Sequence, residues 1–72
     1  MINVRIRKAL GNRIRDLRKS QGFSQETLAD AVGVHRTYIG LIERGQQSVS
    51  VDNLDRIAKV LKTSPANMLE KL

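Results

Sequence analysis

The chain has 72 residues, a net charge of +6, one histidine, one proline and no cysteine, so a single small domain without disulfides or Cys/His metal sites is expected. No apolar run approaches the roughly 20 residues that span a bilayer, and the opening MINVRIRKAL lacks the apolar stretch of a signal peptide, which predicts a soluble, cytoplasmic protein. The usual nucleophile–base pairs and Gly-rich phosphate loops are missing from the sequence, so neither an enzyme nor a cofactor is expected.

The charge is concentrated at one end. Residues 1–20 hold Arg5, Arg7, Lys8, Arg13, Arg15, Arg18 and Lys19 with only Asp16 against them, whereas residues 21–72 hold six basic and six acidic side chains. A solvated helix face accounts for a short charge run, but in a domain of pI about 10.6 it also provides an electrostatic footprint for phosphates, favoured here over an acidic membrane surface.

The first helix is predicted from about Val4 or Arg5 to Ser20, with Asn3 as its cap. Ile6, Leu10, Ile14 and Leu17 form its apolar stripe, Gly11 is a place to fray or bend, and Gly22 ends it. Phe23 reads as a core plug. Ser24 caps a second helix starting at Gln25, in which Leu28, Ala29 and Val32 share a face and Glu26 complements the helix dipole. Gly33 suits a turn with positive φ. Beyond Val34, the third helix turns Ile39 and Ile42 inward and leaves Arg36, Thr37, Gly40, Leu41 and Arg44 as an outer face without an acidic residue.

After Gly45 the stretch GQQSVS reads as a loop, and Ser50 caps a fourth helix with Val51, Leu54, Ile57, Ala58 and Leu61 inward. Ser64-Pro65 opens a short fifth helix ending near Leu72. The fold class is therefore all-α, with five helices in one domain spanning 1–72 and a helix-turn-helix at 24–45.

Gln25, Leu28, Ala29, Gly33, Val34, Ile39, Ile42, Glu43 and Gly45 stand in the order and spacing of the lambda-repressor/Cro-like helix-turn-helix family of bacterial and phage regulators, which this sequence resembles over about residues 10 to 70. The stretch HRTYIGLIERG is most similar to the small controller proteins of restriction–modification systems. The resemblance implies a homodimeric transcriptional regulator that reads double-stranded operator DNA of inverted-repeat sequence. The alternative is a protein-interaction module, such as an antitoxin, built on the same fold.

The family places base contacts at the positions of Arg36, Thr37 and Leu41. Arginine can pair with guanine O6 and N7, and leucine can meet a thymine methyl, although an exposed leucine also suits a protein contact. Gly40 leaves room for close approach to DNA or clearance between helices. Phosphate contacts are expected from Gln25, His35, Tyr38, Arg44, Gln46 and Ser48, with Arg13 adding attraction. His35 alternatively caps the third helix. The resemblance also implies an ion pair between Arg18 and Glu43 at the core margin. Val60, Met68, Leu69 and Leu72 leave apolar surface for a dimer interface. No small-molecule effector is evident.

Overall fold

The computed structural model describes residues 3–72, the side chain of Asn3 excepted. These residues form five helices and no strand: α1 (Asn3–Ser20), α2 (Gln25–Val32), α3 (Arg36–Glu43), α4 (Val51–Val60) and α5 (Pro65–Leu69). Four of them are too short to persist alone, so their ends and their packing decide whether they form.

The ends are satisfied almost throughout. Ser24 Oγ accepts the Thr27 N–H at 3.0 Å while Thr27 Oγ1 accepts the Ser24 N–H at 2.8 Å, a reciprocal cap at the start of α2. Ser50 and Ser64 accept from Asn53 and Asn67, each at 3.1 Å, and cap α4 and α5. At the end of α3, Gly45 adopts φ 72° and brings the Gln46 N–H to the Leu41 carbonyl at 2.9 Å. The turn between α2 and α3 uses Gly33 at φ 92°, as its position in the sequence suggests. Two expected boundaries shift, and two residues behave otherwise than expected. Asn3, expected as a cap, already lies within α1. α1 continues unbroken through Gly11, and α5 ends at Leu69 rather than near Leu72. Val51, expected to point inward, is 80% exposed because it occupies the first turn of α4 beyond the edge of the core.

Ile14, Leu28, Ile39, Ile42, Ile57, Leu61 and Met68 are the large side chains fully withdrawn from solvent, and they come from every helix. Each such burial contributes about 1.5–3 kcal/mol. Phe23 lies half-buried against this core, while Ile6, the first member of the α1 stripe, is 42% exposed. Ala29 is buried on the inward face of α2 together with Leu28 and Val32.

The crossing of α1 over the end of α3 is closer still. Gly11 is buried, and a Cβ built on it would overlap the Ile42 carbonyl oxygen and stand 2.8 Å from that of Glu43. One turn earlier, Lys8 lies against Gly45, whose added Cβ would come within 2.5 Å of Lys8 Cγ. Gly11 therefore fixes a backbone-to-backbone contact between α1 and the end of α3.

This contact yields a prediction with a definite sign. In a helix governed by propensity alone, Gly11→Ala would stabilise by about 1 kcal/mol. Because the neighbours are backbone oxygens that cannot rotate away, Gly11→Ala should instead destabilise by about 2 kcal/mol or more, measured as a lowered urea midpoint.

Candidate nucleic-acid interface

Three helices meet at one buried ion pair. Arg18 Nε donates to Glu43 Oε2 at 2.6 Å and Arg18 Nη2 donates to Oε1 at 3.0 Å, so α1 grips the last residue of α3 in a two-pronged contact. Arg18 Nη1 donates to the Phe23 carbonyl at 2.9 Å, and Gln25 Nε2 donates to Glu43 Oε1 at 3.1 Å. Both charged side chains are almost completely buried. A desolvated pair needs this completeness, since each unsatisfied lone pair or proton would carry the full cost of leaving water. The first turn of α2 is thereby tied to the end of α3, and the angle of the helix-turn-helix is held from behind.

On the outer side, Gln25, Arg36, Thr37, Gly40 and Arg44 line one open polar cleft. Arg36, Thr37 and Arg44 are exposed, and Leu41 is half-buried. Gly40 differs from expectation: it is buried, and a Cβ there would sit 3.3 Å from Arg44 Nη1 and 3.6 Å from Gln25 Oε1. Those two side chains cover the glycine, so they meet an approaching molecule before it does. The Arg44 Nε also donates to Gln46 Oε1 at 3.1 Å, which brings a third polar side chain to the same end of α3.

His35 occupies the N-cap of α3, where its Nδ1 accepts the Thr37 N–H at 3.0 Å. An accepting Nδ1 leaves the ring proton on Nε2 as a free donor. Tyr38 is half-buried, and its hydroxyl oxygen accepts from Asn53 Nδ2 at 3.0 Å, so its own proton stays available. Ser48 stands exposed in the loop before α4.

Arg13 lies elsewhere. Its Nη1 donates to the carbonyls of Asn67, Met68 and Glu70 at 3.2, 3.3 and 2.6 Å, so it caps the C-terminal end of α5 instead of standing free for phosphates. A guanidinium there complements the unpaired carbonyls and the negative end of the helix.

The four side chains expected at a dimer interface are also separated by the fold. Met68 is 1% exposed and belongs to the core, and Val60 and Leu72 pack against that core. Leu69 alone is substantially open, at 44%. It joins Ile6, Val49 and Val51 along an apolar groove floored by Leu10 and Leu54, with Arg7 and Ser48 at its margin.

Two neighbours of α3 come from other helices. Asn53 positions the Tyr38 hydroxyl from α4, and Glu26 Oε1 lies 3.8 Å from Arg36 Nη1. Nothing in their spacing along the chain marks either one, because both contacts are made between helices. Among the described residues no cluster of His, Asp and Glu could hold a metal ion, and no helix is long and apolar enough to cross a membrane.

The pattern of the helix-turn-helix family matches residues 14–67. Control protein C.BamHI of Bacillus amyloliquefaciens is 44% identical over 66 residues, covering 90% of this chain and 82% of its own length. Among solved structures, the restriction-modification controller protein C.AhdI from Aeromonas hydrophila superposes with a TM-score of 0.83 at 42% identity, covering 86% of this chain and 94% of that one. The biofilm master regulator SinR in complex with DNA does so with a TM-score of 0.81 at 35% identity, covering 85% and 98%.

The ion pair makes its own prediction. Glu43→Gln leaves the Arg18 charge buried against a neutral amide, and should lower the unfolding free energy by about 3 kcal/mol in urea denaturation. A double replacement, Arg18→Met with Glu43→Leu, removes both charges and should cost clearly less than the single change.

Proposed function

This chain belongs to the helix-turn-helix family, and we infer that it is a DNA-binding transcriptional regulator whose α3 reads the major groove of an inverted-repeat operator as a homodimer. The observation that carries the reading is the cleft along α3, where two guanidinium groups and a hydroxyl stand exposed on one helix face and the acidic Glu43 is withdrawn to the rear. Such a face presents donors to guanine O6 and N7 and to phosphate oxygens. Likeness to SinR bound to DNA supports it.

In this reading Arg36 and Thr37 contact base edges, with Leu41 at a thymine methyl. Gln25, the His35 Nε2–H, the Tyr38 hydroxyl, Arg44, Gln46 and Ser48 surround them as phosphate contacts, and Gly40 contributes by letting Gln25 and Arg44 lie close to the helix. Residues 1–72 act as one DNA-binding unit that works in the bacterial cytoplasm on the chromosome, a plasmid or a phage genome. Similarity to C.BamHI and C.AhdI supports the narrower role of controlling a restriction–modification operon. A protein-interaction module draws no support from the polar, cationic character of the cleft.

The homodimer is assigned to the groove around Leu69 in place of the set Val60, Met68 and Leu72. Exposed Val51, Ile6 and Leu69 line it, and Arg7 Nε is buried there without a hydrogen-bond partner among the described residues. A second copy would cover the apolar side chains and offer that donor an acceptor, in keeping with two-fold self-complementarity.

Selection of bound sites from a randomised duplex pool tests the function. The wild type should recover an inverted repeat with half-sites about one helical turn apart. Arg36→Ala should lose discrimination at one base pair, by about 1–3 kcal/mol, while keeping weak binding to arbitrary DNA. Arg44→Ala should weaken specific and non-specific binding alike and reduce the salt slope by about one unit. For the dimer, sedimentation at micromolar concentration should show Leu69→Asp as a folded monomer with an unchanged helical CD spectrum and weakened operator binding; a monomeric wild type would refute the assignment.

A further inference from the structure

Arg36 stands between two unlike clefts. On one side it lines the polar cleft with Gln25, Thr37, Gly40 and Arg44; on the other it lines a second opening with Glu26, Asp30, Val34 and His35. The Glu26 carboxylate lies 3.8 Å from the Arg36 guanidinium, and their side chains are 65% and 66% exposed. An ion pair that open contributes little to folding. A carboxylate beside the groove-reading arginine is also unfavourable for approach to a polyanion, so a residue that merely filled space would serve better as glutamine.

We propose that Glu26 is a specificity-determining residue that acts through Arg36, holding its guanidinium for a G·C base pair and withholding it from backbone phosphates. The chemistry follows from the two partners on offer. A free arginine binds any phosphate, which adds affinity without sequence information. With a carboxylate beside it, the guanidinium leaves its counter-charge favourably only where the site returns more than a single phosphate does, as the paired O6 and N7 acceptors of guanine do. Specificity is a difference between affinities, and Glu26 raises it by lowering the affinity for wrong sites more than for the right one. Asp30, in the same opening, adds to the negative side of that cleft and carries no contact with Arg36 among the described residues.

This inference rests on the proposed reading of α3, and the test separates the two. Affinities for the selected operator, for the operator altered at the base pair that Arg36 discriminates, and for random duplex are measured across a salt series. For Glu26→Gln the ratio between operator and altered operator should fall about threefold to tenfold, while affinity for random duplex rises about threefold. In an Arg36→Ala background the same change should leave that ratio unaltered, since the effect passes through the arginine. Glu26→Asp, which keeps the charge, should restore part of the ratio. An unchanged ratio in Glu26→Gln would overturn the inference, and a lowered Tm with that unchanged ratio would identify Glu26 as a partner of the α2 dipole only. A wild-type protein without sequence preference would overturn the proposed function and this inference with it.

Discussion

The Arg18–Glu43 pair is the contact on which the arrangement of the reading helix depends. Its geometry joins α1 to the last turn of α3 through two short hydrogen bonds, and Gln25 adds α2 through a third. Apolar packing alone tolerates sliding, because dispersion is weakly directional and many rearrangements bury a similar area. A planar guanidinium matched to a carboxylate admits one orientation and one distance. The pair is therefore best understood as a register device for α3, at a place where the alternative is an unpaired buried charge. Gln25 belongs to both sides of this device: one of its amide hydrogens serves Glu43 while its side chain also borders the outer cleft. A displacement of the buried pair would reach the outer cleft through Gln25.

The register set by the pair is reinforced by the absence of side chains. Gly11 and Gly45 bring α1 against the backbone at the end of α3, where no Cβ fits. Helices of eight residues, such as α2 and α3, cannot rely on propensity, so caps supplied by Ser24 and His35 and the tertiary contacts behind them complete the structure. The price of so short a reading helix is that almost every inward residue is committed to packing: Ile39, Gly40, Ile42 and Glu43 are all buried. Function is left to the residues between them.

Charge is sorted by the same geometry. Glu43 is drawn inward, Arg13 is turned to the carbonyl end of α5, and Arg36 and Arg44 remain on the outer cleft. The basic excess of residues 1–20 is thus not a uniform phosphate-binding stripe: Arg18 supports the core and Arg13 anchors the last helix. The apolar surface is sorted likewise. Met68 is absorbed into the core, whereas Ile6, Val51 and Leu69, from three different helices, are left beside one another. A groove assembled in this way has no linear signature.

Much of the molecule is nonetheless determined by the sequence alone. Spacing of Leu28, Ala29 and Val32, and of Ile39 and Ile42, defines the two helices because burial repeats every three or four residues along them. Ser24, Gly33, Gly45, Ser50 and Ser64 define their ends because cap and turn chemistry is local. The outward direction of Arg36, Thr37 and Arg44 follows from the same local rules, whereas membership of the helix-turn-helix family rests on the match over residues 14–67. What only the tertiary structure decided are contacts between elements distant in the chain. Gly11 looks like a weak point of α1 until Ile42 and Glu43 are seen against it, and Glu26 looks like a dipole partner until Arg36 is placed beside it. Periodicity reports which face of a helix is inward, but not which neighbour lies across from it. For Val51, Met68 and Arg13 that neighbour, or its absence, set the role.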